Sequence, residues 1–314
     1  MEQNKPFFKM IDEICEEENI KQKKISYNWI RQLEKDNKKH YIMSYQLDLN
    51  SANSYNIAHD KFATYDVLKS NNVPTIEHRM IFNPATRSKF YGEEFIKEAE
   101  KLLLENNNKV VIKANESCEG KDVYCCSNKQ EIEDIVNKLF KSNKDTLSAC
   151  PYVDIDYEYR AIYLCNEILY IYKKKKASVF GDGKRKLLDL INEKNQKNNI
   201  KIEIINTLDL NYVPKNKEEI TISWKHNLSN GATPIIIDEN DEYIEQIRNV
   251  ALLAGNAMNI KFASIDIALT SDKKILVMEV NGSVCMNKFS EVIPNGYEIS
   301  KNIYRKAIHK MFED

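Results

Sequence analysis

Asp266, Glu279 and Asn281 are the residues whose types and spacing most directly suggest chemistry in this chain. They sit in two runs, Ala263 to Leu269 and Ile275 to Asn281, which alternate at period two, are rich in Ile, Val and Leu, and flank a polar Thr-Ser-Asp-Lys-Lys segment. That is the pattern of an antiparallel hairpin. With Leu269 opposite Leu276, Asp266 faces Glu279, and Asn281 falls on the same face two residues on. Two anions directly opposite each other in a sheet repel, by roughly 3 kcal/mol at ~5 Å and an effective dielectric of ~20. A bound cation removes that penalty. Two carboxylates with an amide carbonyl are hard oxygen donors of the kind that hold Mg²⁺ while leaving positions for water and phosphate oxygens. Two solvated acids on an exposed face would give the same pattern. Because removing one of two facing anions relieves repulsion, Asp266→Asn or Glu279→Gln is expected to leave the fold intact while abolishing metal-dependent turnover.

A second place where chemistry could gather is Val110-Val-Ile-Lys113, a buried strand ending in a lysine, followed by small and polar residues around Gly120. A strand feeding such a loop can fold its backbone N–H groups over phosphates; with one glycine, an ordinary hairpin turn reads equally well. The lysine run 173–176 ends a predicted strand and is either a solvated edge or a phosphate contact. The five histidines show no clustered spacing, and no Ser/His/Asp or Cys/His arrangement stands out.

These residues need elements to position them. Residues 4–18 have helical spacing, with Phe7, Phe8, Ile11 and Ile14 on the apolar side, and the text from there to about residue 58 is short, polar and broken. A helix is predicted over Asp60 to Asn71, with Phe62, Tyr65, Val67 and Leu68 inward, ending before Asn72-Val-Pro74 because the residue ahead of a proline is pushed out of helical space. Strand Glu77 to Phe82, helix Glu93 to Glu105, strand Lys109 to Lys113, strand Asp122 to Cys126 and helix Lys129 to Phe140 follow, an order that describes a small α+β lobe. A second lobe begins near Leu147. It holds a hairpin of Tyr157 to Leu164 and Glu167 to Lys173, helices Arg185 to Lys197 and Glu242 to Met258, the acidic hairpin, and a closing helix from about Ser300 to Phe312.

Length and charge bound the rest. At 314 residues the chain exceeds a typical single domain, so two or three lobes around a cleft are expected. A net charge of −1 with 30% charged residues gives no global field for nucleic acid or membrane, which leaves a small molecule or peptide as the expected partner. Seven cysteines without Cys-x-x-Cys spacing fit reduced thiols. With a polar start and no apolar run near the ~20 residues needed to cross a bilayer, the expected location is cytoplasmic.

From about Ile25 onward the sequence resembles the ATP-grasp ligases, and within them the ligase module of cyanophycin synthetase and of the bifunctional glutathione synthetases. Several stretches carry the resemblance. Asp60-Lys61-x-x-Thr64-x-x-x-Leu68-x-x-x-Asn72-Val73-Pro74 is similar to the family's entrance helix. Val179-Phe-Gly-Asp-Gly-Lys184, followed by Leu187-Leu-Asp-Leu-Ile191, is similar to its insertion. Leu208-Asp-Leu-Asn-Tyr-Val-Pro214 and Asn227-Leu-Ser-Asn-Gly231 resemble a stretch that distinguishes this branch.

The resemblance implies an α+β ATP-grasp fold with two α+β lobes clamping a nucleotide: 1–72 as N-terminal segment and entrance helix, 73–147 as small lobe, and 148–314 as large lobe with the metal site. It implies ATP and Mg²⁺, with Mn²⁺ as an alternative. Lys61 and Lys113 match phosphate-holding lysines, Ser117 and Gly120 lie in the loop that closes over them, and Val153 follows Pro151-Tyr152 in the linker beside the base. Glu158 matches the acid on the ribose hydroxyls. Arg160 and Lys174 match basic residues facing the transferring phosphate and the acyl phosphate, Asn227 a site near the γ-phosphate, and Asp266, Glu279 and Asn281 the metal ligands.

Some positions depart from the family. Pro151 stands where relatives carry an acid, Ala114 where proline is usual, Gly-Ser-Val-Cys285 where a Pro-Gly stretch is expected, and Ser223 in place of an arginine, with Lys225 a substitute. The activity implied is ATP-dependent joining of a carboxylate to an amine through an acyl phosphate, on an amino acid or small peptide, in a chain compatible with homo-oligomers. The rivals are a phosphotransferase using the same cleft and a nucleotide-binding module without turnover.

Overall fold

In the computed structural model, residues 5–86, 95–116, 122–238 and 240–313 are described. A five-stranded antiparallel sheet runs in the order Thr233–Ile235, Glu167–Lys175, Ile155–Leu164, Phe262–Thr270, Ile275–Asn281. Strand Phe262–Thr270 is buried at every position, because both faces of the sheet are covered. On one face Tyr159, Ala161, Tyr163, Ile265 and Ile267 share a core with Ile247, Ala251 and Ala254 of helix Ile244–Ala257 and with Leu68 of helix Lys61–Ser70. Gly255 is needed there, since a Cβ would stand 2.3 Å from the Tyr163 ring. On the other face Ile162, Leu164, Tyr172 and Phe262 pack with residues of helices Pro6–Glu17 and Gly296–Glu313. Further along that same face the residues become ionic: Glu158, Arg160, Lys174 and Asp266. The sheet therefore changes from an apolar to an ionic layer along its own strands.

A second, four-stranded sheet has the order Arg79–Phe82, Thr146–Pro151, Val110–Ala114, Val123–Cys126. Helices Phe95–Glu105 and Lys129–Lys141 close its core through Leu102, Val136 and Leu139 against Ile81, Val110, Ile112 and Leu147. Its strand Thr146–Pro151 pairs on both sides and runs past residue 147. The two sheets are tied by the segment after helix Lys61–Ser70, where the N–H of Val277 donates to the Pro74 carbonyl (2.9 Å) and that of Ile76 to the Val277 carbonyl (3.1 Å). Residues 177–222 form a small insertion with its own core of Val179, Leu187, Leu190, Ile191 and Ile202. Among the described residues no helix is long and apolar enough to cross a membrane.

Three local expectations are corrected. The stretch to residue 58 is not broken: it is an antiparallel meander, Lys21–Ile25, Ile30–Lys35, Lys38–Met43 and Gln46–Leu47, followed by helix Ala52–His59. One face of the meander points to solvent and takes polar residues, which hides the strands, while Leu33 and Ile42 fill the core. In helix Lys61–Ser70 the buried residues are Lys61, Thr64, Tyr65 and Leu68, with Phe62 and Val67 half-buried. In the acidic hairpin Leu269 pairs with Ile275, one residue from the expected register, and an irregularity at Met278 restores Asp266 opposite Glu279. A β-bulge of this type shifts pairing by one residue, so the two acids still face each other.

Candidate functional site

The two sheets bound a cleft lined by Lys61, Lys113, Val153, Glu158, Asn227, Asp266 and Glu279 among the expected residues. Asp266 and Glu279 belong to a cross-strand row, Tyr172, Arg160, Asp266 and Glu279, in direct register over four strands, whose first two members lie behind the lining. Arg160 grips Asp266 with two parallel bonds, Nε to Oδ1 at 2.7 Å and Nη2 to Oδ2 at 2.6 Å, the bidentate geometry that a planar guanidinium makes best. Lys174, 2% exposed, places Nζ 2.9 Å from Asp266 Oδ2 and also donates to Glu158.

Burial alone would raise the pKa of Asp266; the charges of Arg160 and Lys174 overcome that and hold it well below the usual carboxylate range. Burial raises Glu158 instead, against the opposing pull of Lys174. The two carboxylates are thus driven apart although they share one ammonium, because only Asp266 also holds the guanidinium.

Lys61 is the first residue of its helix. Its Nζ donates to the Asn115 carbonyl at 3.2 Å and lies 3.7 Å from Glu279 Oε1. So the facing acids are not an uncompensated pair: Asp266 meets two cations and Glu279 a third. The repulsion inferred from the hairpin alone is removed by residues distant in sequence. Asp266, Glu279 and Asn281 nonetheless lie on one face with hard oxygen donors, the chemistry that suits Mg²⁺. Among the described residues no group of three or more His, Cys, Asp or Glu could hold a metal, so a metal here would rest on the two carboxylates and the Asn281 amide.

Arg160, Lys174 and Asn281 stand beside or behind the lining rather than in it. Asn227 precedes the turn Leu228–Asn230, which Gly231 ends with a φ of 86°, a conformation that favours glycine. Ser117 and Gly120 lie outside the described residues. The lysine run divides: Lys173 pairs with Asp241 at 2.5 Å, Lys175 with Glu219 at 2.6 Å, Lys174 turns inward, and Lys176 lines the cleft.

Of the apolar end of the cleft, sequence reasoning named only the linker with Tyr152 and Val153 and missed the rest. Ile76, Val111, Cys150, Val123, Tyr152, Val153, Trp224 and Met278 form one cluster, drawn from both sheets and the segment after the insertion. It also missed two buried histidines. His226 lines the cleft, 3.8 Å from Glu158 Oε2, and burial with Lys176 and Lys174 nearby pushes its pKa down to about 3. His78 bonds Ser148 Oγ at 2.6 Å and is likewise lowered by burial and by Lys113 and Lys61. No spacing in the sequence signals either, because each reaches its place through a tertiary contact.

The RimK-like ATP-grasp domain matches residues 188–306, a stretch that includes Asn227, Asp266, Glu279 and Asn281. No curated protein matches the sequence. The fold is similar to that of a bifunctional glutathione synthetase from Pasteurella multocida (TM-score 0.58, 17% identity), over 96% of this chain and 44% of that one. It is also similar to D-alanyl-alanine synthetase A from Vibrio cholerae O1 biovar eltor str. N16961 (TM-score 0.59, 12% identity, 95% and 91% covered). A D-alanine–D-alanine ligase from Bacillus anthracis, solved complexed with ATP, gives a TM-score of 0.53 at 15% identity, with 84% and 68% covered. The chain thus spans less than half of the glutathione synthetase. At these identities the likeness is one of fold.

Proposed function

We propose that this chain is an ATP-grasp enzyme, an ATP-dependent carboxylate–amine ligase acting on an amino acid or small peptide, a reading supported by the RimK-like ATP-grasp match over residues 188–306 and by the likeness of fold to a bifunctional glutathione synthetase. The observation that carries the reading is a cleft with two chemically different sets of lining residues: an apolar slot of Ile76, Val111 and Met278, and an ionic set with Lys61, Lys113, Asp266 and Glu279. A planar base fits the first and a polyphosphate the second.

In this reading Lys61 and Lys113 hold the phosphates, the loop with Ser117 and Gly120 covers them, Val153 borders the base and Glu158 takes the ribose hydroxyls. Arg160, Lys174 and Asn227 act at the transferring phosphoryl group. Asp266, Glu279 and Asn281 would hold Mg²⁺, or Mn²⁺, which when bound neutralises phosphate charge. The substrate carboxylate attacks the γ-phosphorus and ADP leaves. The amine then attacks the acyl carbon, phosphate leaves, and the amine nitrogen gives up a proton. A carboxylate is a poor electrophile, and the acyl phosphate supplies the leaving group it lacks. Such transfer needs positioning and charge neutralisation more than a protein nucleophile.

The test is a screen of amino acids and dipeptides for release of ADP and phosphate that depends on both ATP and an amine, with the product weighed by mass spectrometry. A condensation product supports the ligase. A phosphorylated acid formed without amine would assign a phosphotransferase instead, and ATP binding without turnover across the screen would overturn the ligase.

A further inference from the structure

We infer that Trp224 is a specificity-determining residue for the nucleobase, and that it links the base end of the cleft to Asn227 at the phosphate end. The inference rests on the nucleotide reading above and adds to it a wall supplied by the segment that leaves the insertion.

The rings of Tyr152 and Trp224 lie with centroids 6.2 Å apart at 52°, an open angle rather than a closed stack. The Lys225 ammonium sits over the Trp224 ring at 5.6 Å and that of Lys109 over Tyr152 at 5.1 Å. Both rings also line the cleft. Cation–π contacts of this kind hold an aromatic ring in orientation.

Trp224 is half-buried in a stretch whose other members are shut in: Ile222 and Ser223 are fully buried, Lys225 is 6% exposed and His226 5%. The stretch is held at several points. The Ile222 N–H donates to the Ala177 carbonyl at 2.8 Å, Asn230 Nδ2 to Ser223 Oγ at 3.2 Å, and Lys225 Nζ to Glu203 at 2.6 Å. The partial exposure of the indole is therefore not the slack of a loose loop. A large aromatic surface held open beside Val111 and Met278 has the shape and polarity of one side of a stacking site for a flat heterocycle.

The slot continues into the ionic end, and this selects a base carrying a polyphosphate over an uncharged aromatic ligand. Asn227 lies three positions after Trp224, a reach of ~10 Å when extended. One fixed segment thus touches both ends of the cleft, so Trp224 and Asn227 are held in one fixed relation to each other.

The chain has two tryptophans, and the other, Trp29, lies exposed next to the first hairpin turn of the N-terminal meander. In Trp29→Phe, where Trp224 alone fluoresces, adenosine and ATP should both change the emission and inorganic triphosphate should not. By equilibrium dialysis, Trp224→Ala should weaken ATP about tenfold, within the range that base–aromatic stacking supplies. Its preference for ATP over GTP should narrow, its affinity for inorganic triphosphate should be unchanged, and Trp224→Phe should recover most of the loss. If the parent protein binds ATP and Trp224→Ala binds it with parental affinity and base preference, the assignment of Trp224 is overturned while the nucleotide reading stands. If the parent retains no ATP in dialysis, the nucleotide reading fails and this inference with it.

Discussion

At the scale of single residues, Asp266 is the position where local and tertiary arguments disagree. Read from its hairpin, it is one of two repelling anions; in the fold both its oxygens are taken, by Arg160 and Lys174. Replacing it leaves the Arg160 guanidinium without its counter-ion and Lys174 with Glu158 alone, and breaking a buried pair costs about 3–5 kcal/mol. Asp266→Asn is therefore expected to lose stability as well as turnover, in contrast to what the hairpin alone suggests. Glu279 is 30% exposed at its side chain and 3.7 Å from Lys61, so Glu279→Gln should stay within about 1 kcal/mol of the parent. Urea unfolding of the two variants decides the point, and equal midpoints would refute the counter-ion role of Asp266. The facing of the two acids was legible in the period-two pattern. Their partners were not, because Arg160 lies 106 residues away in sequence from Asp266 and reaches it only through strand pairing.

At the scale of elements, helix Lys61–Ser70 shows how a cap sets a side chain that lines the cleft. Asp60 accepts a bond from the Ala63 N–H at 2.8 Å, which fixes the first turn and with it Lys61. Asp60→Ala should cost about 1 kcal/mol of stability and raise the KM for ATP, while Asp60→Asn, which can still cap, should do neither. A parental KM in Asp60→Ala would detach Lys61 from the cap. This helix was readable because Asp60 and Asn72-Val-Pro74 mark both ends. The meander over Lys21–Leu47 was missed despite a local signal: Asp36 and Asn37, with φ of 51° and 61°, make the two-residue turn typical of tight hairpins. The irregularity at Met278 had no such signal. It answers the pairing of Phe262–Thr270 with its two neighbours, which no single strand encodes.

At the scale of the whole molecule, acid sensitivity should come from two neutral histidines on opposite sides of the cleft. His78 and His226 are 3% and 5% exposed, and burial lowers both pKa values. Below about pH 6.5 the unfolded chain takes up protons that these folded imidazoles refuse. Stability therefore falls as pH falls, by about 1.4 kcal/mol per unit for each histidine. For His226 the window closes near its folded value of about 3. Urea midpoints at pH 6.5 and 5 should drop in the parent, and His226→Gln should drop less by about 2 kcal/mol; identical pH dependence in the two proteins would rule out His226 as a source.

The sequence alone determined the α+β character, the presence of the longer helices, the lysine-ended strand and the face shared by Asp266, Glu279 and Asn281, because periodicity, caps and turn residues act over a few neighbouring positions; the closing helix, expected from about Ser300, begins at Gly296. Only the tertiary structure decided which charges meet and where the apolar end of the cleft lies. Arg160, Lys174 and Lys61 converge on the acids from separate elements, and Trp224, Val111 and Met278 become neighbours through packing between two sheets and an insertion. Charge compensation and burial depend on distance in space, which local sequence does not specify.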